Sequence, residues 1–169
     1  HLILHKLRRN PAFIEELDFV ACDTEDNKIV GNIVYSQGKI RNNQYKEFTV
    51  LCLGPVGVLP SYQGKGIGSL LIEKSLSEAK KLDYKGIILF GNPDYYHGFG
   101  FENAEKYNIQ TSQGENFDSF MVLELYEESL KDIQGKFIEN PVFQVDSEEL
   151  ERFEKEFPYK EKHSTDTQL

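Results

Sequence analysis

Apolar and polar positions change their period at a few points along the chain, and those changes mark its elements. Leu2, Ile3, Leu4 and Leu7 sit among basic residues ahead of Pro11, which predicts the tail of a helix that ends before the proline. Leu17 to Cys22 and Ile29 to Tyr35 are apolar runs on either side of Asp23-Thr24-Glu25-Asp26-Asn27, the pattern of a β-hairpin. Beyond a polar stretch from Gly38 to Lys46, the run Phe48-Thr49-Val50-Leu51-Cys52-Leu53 is almost wholly apolar, as a strand buried on both faces is. Gly54-Pro55 interrupts it. Proline has no N–H to give to a ladder, so the strand is expected to bulge or part from its neighbour before Val56-Gly57-Val58 resumes it.

From Gly66 to Lys81, Ile72, Leu76 and Ala79 recur at spacings of four and three with Glu73, Ser77 and Lys80 on the other side, which predicts an amphipathic helix. Lys80 and Lys81 favour its negative C-terminal end. Gly86 to Gly91 reads as a second buried strand, and Pro93-Asp94 opens a short helix through Tyr95 and Tyr96. Phe117 to Leu125 alternates as a strand, and Phe137 to Phe143 reads as another, interrupted by Pro141. Residues 147–162 are rich in charge around Leu150, Phe153 and Phe157, predicting a surface helix, and His163 to Leu169 a disordered tail. The expected division is one domain over residues 1–146, with residues 147–169 a C-terminal helix and polar tail.

A length of 169 residues, with 39% hydrophobic and 28% charged, fits one globular domain with a core of its own. No apolar run approaches the roughly 18 residues of a membrane span, and the start lacks a signal-peptide pattern, so a cytoplasmic protein without a membrane partner is expected. Cys22 and Cys52 are the only cysteines, which excludes a disulfide framework and a Cys-x-x-Cys zinc site. His1 and His5 have helical spacing, but no glutamate follows His1, so the zinc protease pattern is not met and no metal is expected. A net charge of −9 opposes a nucleic-acid groove and favours approach of a cationic substrate. The chain begins with histidine and its one methionine is Met121, so the native start is expected to be missing.

Between Val58 and the predicted helix lies Leu59-Pro60-Ser61-Tyr62-Gln63-Gly64-Lys65-Gly66-Ile67-Gly68. A helix start carries unpaired N–H groups and a partial positive charge, so it can grip a phosphate through several amides at once. Gly64, Gly66 and Gly68 keep side chains out of the way, and Lys65 adds a mobile positive charge. The dinucleotide pattern fails, because glycine would be needed at Ser69 or Leu71. The Walker pattern fails too: Gly66 stands where Ser or Thr is required, and Leu59 where the first glycine is required.

What does match is Q-x-x-G-x-G at Gln63, Gly66 and Gly68 after a Val-Leu-Pro strand end, followed at a helix and a strand's distance by Tyr95-Tyr96-His97-Gly98-Phe99-Gly100-Phe101. The pair resembles the pyrophosphate loop and the F-Y-x-x-x-G-F element of the GNAT acetyltransferase superfamily. The likeness covers most of residues 13–143 and extends to a bacterial subgroup with a C-terminal extension. It implies an α/β fold with a mixed, mostly antiparallel central sheet flanked by helices and splayed at the strand ending at Val58. The family's N-terminal strand and first helix have no counterpart in this chain.

The resemblance also implies the chemistry. Acetyl-CoA is the cosubstrate, held by Gln63, Gly64, Lys65, Gly66, Ile67, Gly68 and Ser69 at the turn and by backbone groups of Val56 and Val58 in the cleft. The acetyl group passes directly to a primary amine, with Tyr96 aligned to the family's tyrosine acid and Tyr95 as its alternative. A phenol of pKa near 10 can protonate a departing thiolate, though both rings also suit packing against Phe99 and Phe101. The family often places a basic glutamate on the strand before the bulge. Those positions here run from Phe48 to Leu53, leaving Glu47 at the edge or an ordered water. Cys52 reads as a core residue, and His97 either orients substrate or caps the short helix. The acceptor is a small-molecule or peptide amine, and the C-terminal extension offers surface for a homodimer. A non-catalytic acyl-CoA-binding sensor or regulatory module is the alternative.

Overall fold

The computed structural model describes residues 2–158. Helix α1 (Leu2–Leu7) leads into strands β1 (Phe19–Cys22), β2 (Ile29–Arg41) and β3 (Glu47–Val58), then helix α2 (Ile67–Ala79) and strand β4 (Gly86–Phe90). Helix α3 (Pro93–Tyr96) precedes the short β5 (Glu102–Asn103) and β6 (Ile109–Gln110), then β7 (Phe120–Glu124), β8 (Gly135–Ile138) and helix α4 (Ser147–Glu154). The strands form one sheet in the order β5-β7-β4-β3-β2-β8-β6, with β1 also on β2. Pairing is antiparallel except for β3 with β4 and β6 with β8, so the sheet is the mixed, mostly antiparallel one that the family resemblance implies.

Three boundaries differ from expectation. β2 continues to Arg41, because Gly38 and Ile40 face inward while Gln37, Lys39 and Arg41 face water, so the supposed loop is a half-buried strand. β8 stops at Ile138: Asn140 accepts a hydrogen bond from Val142 N, and Pro141 opens a tight 3₁₀ turn instead of continuing the strand. β7 starts at Phe120, since Phe117 closes the preceding turn by accepting from Phe120 N.

α2 lies across one face of the sheet. Leu71, Ile72, Leu76 and Ala79 pack with Ile33, Tyr35, Leu51, Leu53, Ile87, Leu89 and Met121 into the larger core. Each fully buried aliphatic or aromatic side chain there contributes about 1.5–3 kcal/mol. Tyr35 and Ser75 tie helix to sheet: the Ser75 hydroxyl donates to Ile72 O, which leaves its oxygen to accept from Tyr35 Oη at 2.9 Å. The opposite face carries a second core of Ile40, Val50, Cys52, Ile88, Phe120, Val122 and Phe137. α4 joins α1 through Lys6–Glu149 at 2.7 Å and the His5–Phe153 ring contact. The predicted tail from His163 to Leu169 lies outside the described residues.

Between these cores the sheet opens. β3 pairs with β4 only at Leu51↔Ile87 and Cys52↔Ile88, although β3 runs on to Val58. Against β2 the register passes from Tyr35↔Leu53 to Ile33↔Val56, three residues along β3 for two along β2. The extra residue falls at Gly54-Pro55, where Gly54 takes φ 130°, a value that suits glycine. A bulged strand bends, and β3 leaves β4 at this point.

Candidate active site

The cleft wall is main chain. Leu59 N donates to Val30 O, and in an antiparallel ladder hydrogen-bonded and non-bonded pairs alternate. Gly57 therefore bonds across to β2, while the amides and carbonyls of Val56 and Val58 turn toward the gap left by β4. One of these groups is taken: Gln63 Nε2 donates to Val58 O at 3.0 Å. Gln63 thus braces the turn to the strand end, a role its place in the motif did not reveal.

The turn itself is built as the glycine spacing requires. Gly64 and Gly66 have φ 71° and 80°, conformations that cost L residues with side chains about 1–2 kcal/mol. A Cβ at either would meet nothing within 4 Å, so the space beside them is open to a ligand. Gly66 caps α2 without a side-chain bond, and the first intrahelical bond runs from Leu70 N to Gly66 O. The amides of Ile67, Gly68 and Ser69 precede it and point out of the helix start. Lys65 Nζ lies 5.0 Å from the centre of the Tyr62 ring, and Tyr62 Oη donates to Asp23 Oδ2 at 2.8 Å, which moors the turn to the β1–β2 hairpin. That bond, after the backbone amide of Glu25, holds the Asp23 carboxyl below its ordinary pKa.

Tyr95 and Tyr96 lie side by side in sequence but face different surroundings. Tyr96 is 7% exposed, its ring lying directly over Gly91 and edge-on to Phe101. Burial, with Tyr95 adding to it, pushes its hydroxyl up to about 12. Tyr95 instead reaches the start of α2: its hydroxyl is 3.5 Å from Ser69 Oγ, and a methyl group on Gly68 would stand 2.9 Å from it. So the structure brings Tyr95 to the glycine turn, and Gly68 is small to admit it. His97 closes the short helix at its C-terminal end, its Nδ1 2.8 Å from Phe101 O, while Asn92 caps the start by accepting from Asp94 N.

Glu47 is not at the cleft. It lies six residues before Leu53, about 20 Å along the strand at about 3.3 Å per residue. Lys39 and Arg41 bind it at 2.6 Å each and hold its carboxyl below the ordinary range, so it is neither near nor basic. Cys52 is buried as expected, and burial, reinforced by the negative charge of Glu139, pushes its thiol up to about 12. Ser36 is its cross-strand partner; the hydroxyl lies beside the sulfur without reaching hydrogen-bond geometry and has no partner. Among the described residues, no group of three or more His, Cys, Asp or Glu is placed to hold a metal, and no helix is long and apolar enough to cross a membrane.

A sheet that gapes beside a bulge, with an amide-rich helix start at the gap's mouth, defines an α/β protein with an open slot ending at an electropositive helix start. The sequence matches the model of the acetyltransferase (GNAT) domain over residues 16–103. It is similar to the N-acetyltransferase YhbS of Escherichia coli strain K12, 25% identical over 133 residues that cover 79% of this chain and 76% of the relative. Among solved structures, YhbS of Escherichia coli in complex with CoA has a TM-score of 0.74 at 23% identity, over 83% of this chain and 75% of that one. A GNAT family acetyltransferase from Brucella melitensis in complex with acetyl-CoA has a TM-score of 0.62 at 28% identity, over 84% and 76%. The chain belongs to the GNAT acetyltransferase family, and the GNAT-type fold expected from its two motifs is the one it adopts.

Proposed function

We propose that this chain moves an acetyl group from acetyl-CoA to a primary amine by direct transfer. The observation that carries this reading is the start of α2, where three outward amides meet open space beside Gly64 and Gly66. An anionic diphosphate fits such a start, and the Brucella melitensis relative was crystallised with acetyl-CoA. Ile67, Gly68 and Ser69 would hold the pyrophosphate through their N–H groups, with Lys65 swinging from Tyr62 to add its charge. Val56 and Val58 would align the pantetheine arm along the cleft, and an N–H of that wall would polarise the thioester carbonyl as negative charge grows on its oxygen. The acetyl thioester supplies the activated acyl group, and no metal enters the scheme.

Tyr96 is the proton donor to the departing sulfur in this reading. Its raised pKa keeps the phenol protonated at neutral pH, as a donor must be. Tyr95 holds the ligand at the turn, next to Ser69. Calorimetric titration with acetyl-CoA, followed by thiol release in the presence of an amine panel, tests the proposal. Failure to take up acetyl-CoA at millimolar concentration removes it. Uptake without thiol release from any amine favours a binding module over a transferase.

A further inference from the structure

The tip of the β2–β3 hairpin, at the opposite end of β3 from the cleft, helps to enclose a second cavity. Asn42, Asn43 and Gln44 of the tip line it together with Asn108 and Gln110 at β6 and Gln134 just before β8. Its volume of about 650 Å³ lies within the range of small-ligand sites. Backbone pairing fixes its walls. Gln110 is opposite Lys136 between β6 and β8, Lys136 is opposite Arg41 between β8 and β2, and Gly135 N donates to Asn108 O at 3.1 Å. Gly135 sits so close to Arg41 O that no side chain would fit there. In the tip, Asn42 Oδ1 accepts from the N–H groups of Gln44 and Lys46 at 2.9 Å each.

The chemistry of this wall differs from that of the rest of the surface. Six of its nine residues carry side-chain amides, and the two charged ones, Glu105 and Lys136, cancel, so the wall is neutral in a chain of net charge −9. Among the described residues, the side-chain amides of Asn43, Gln44, Asn108, Gln110 and Gln134 make no hydrogen bond to the protein, and neither Glu105 nor Lys136 has an ion-pair partner. Each amide offers two N–H donors and a carbonyl acceptor. Such a wall has no charge to attract a phosphate or a polyamine, but it complements a neutral molecule dense in hydroxyl groups, which donate and accept alike. Tyr45 adds an aromatic surface at the tip of the same hairpin. It is 83% exposed, makes no ring contact among the described residues, and takes φ 61°, a conformation uncommon for so bulky a residue.

We propose that this cavity is a binding site for a neutral oligosaccharide, separate from the acetyl-transfer cleft. Each free amide can bridge two neighbouring hydroxyls of a pyranose ring, donating through nitrogen to one oxygen and accepting through its carbonyl from the other. Glu105 accepts and Lys136 donates stronger, charge-assisted bonds at two further hydroxyls. Tyr45 gives the ring's C–H face a flat apolar partner with little side-chain freedom to lose, while the phenol stays in water. No covalent step is involved: the site holds a sugar and leaves it unchanged. The length of β3 lies between this cavity and the slot beside Val56 and Val58, so occupancy of one leaves the other open.

The test uses the whole chain and saturation-transfer NMR with maltotriose, cellotriose and N,N′-diacetylchitobiose, with spermidine and inorganic phosphate as charged competitors. At least one saccharide should bind with a Kd of about 1 mM or below. Gln134→Ala and Tyr45→Gly, the latter a residue at ease with φ 61°, should each weaken that binding about 5- to 10-fold, since each removes one set of contacts. The acetyl-CoA Kd by calorimetry should be the same in both variants as in the wild type. No binding of any of the three saccharides at about 10 mM overturns the proposal. So does saccharide binding that both variants leave unaltered, which would place the sugar elsewhere, and so does displacement of the sugar by spermidine or phosphate at equal concentration, which would make the site one for ions. None of these outcomes bears on the transferase reading, which acetyl-CoA uptake tests by itself.

Discussion

At its first residue β3 carries a charge held by two partners, and at its last it faces a gap. Glu47 stands opposite Arg41 on β2 and is gripped by Lys39 and Arg41, so its charge is satisfied there. Val56 and Val58 keep their ladder to β2 but have lost β4, and their remaining main-chain groups look into the cleft. The same strand is thus structural at one end and receptive at the other. What separates the ends is where the bulge falls, not which residues are acidic or reactive.

That contrast can be broken most severely at the turn beside the open end. Gly66→Val puts a β-branched residue at φ 80° and should disorder the start of α2. Losing two charge-assisted bonds, about 4 kcal/mol, is expected to raise the acetyl-CoA Kd on the order of 1000-fold by calorimetry. Tyr96→Phe should lower kcat about 100-fold and leave acetyl-CoA affinity intact, since it removes a proton donor but keeps the ring over Gly91. Because that phenol's pKa is raised to about 12, it keeps its proton as pH rises; the wild-type alkaline limb measured to pH 10 should show no loss that Tyr96→Phe abolishes.

Tyr95→Phe sharpens the comparison on a smaller scale. It deletes a single hydroxyl at the helix start, about 1 kcal/mol, and should weaken acetyl-CoA binding about 5-fold while kcat holds. At the closed end, Glu47→Gln should leave kcat/KM unchanged and the melting temperature within about 2 °C of wild type at neutral pH. Its folded-state pKa is lowered, so what it adds to stability is present above the ordinary carboxylate value and fades as pH falls below it. The variant and wild type should accordingly converge in acid, as melting curves at pH 7 and pH 3 would record.

The parts of this arrangement held by local pattern were legible in the sequence. Ile72, Leu76 and Ala79 reveal α2, and Gly54-Pro55 marks the break in β3, because helix period and missing N–H groups are properties of neighbouring residues. The glycine turn was legible for the same reason. Residues joined by register were not. Ser36 and Cys52 lie 16 residues apart in sequence, and only the β2–β3 pairing sets them face to face. Tyr95 and Tyr96 could not be told apart by type; the difference is that one ring packs over Gly91 and the other reaches Gly68. Glu47 misled because proximity in sequence to the bulge is 20 Å of extended strand.

The extra residue of β3 has a further consequence. Without it the strand would match β2 step for step, and β3 would lose the bend that carries Val56 and Val58 away from the line of β4. A single deletion at Gly54-Pro55 would leave every motif of the chain spelled as before yet straighten the wall along which those motifs operate.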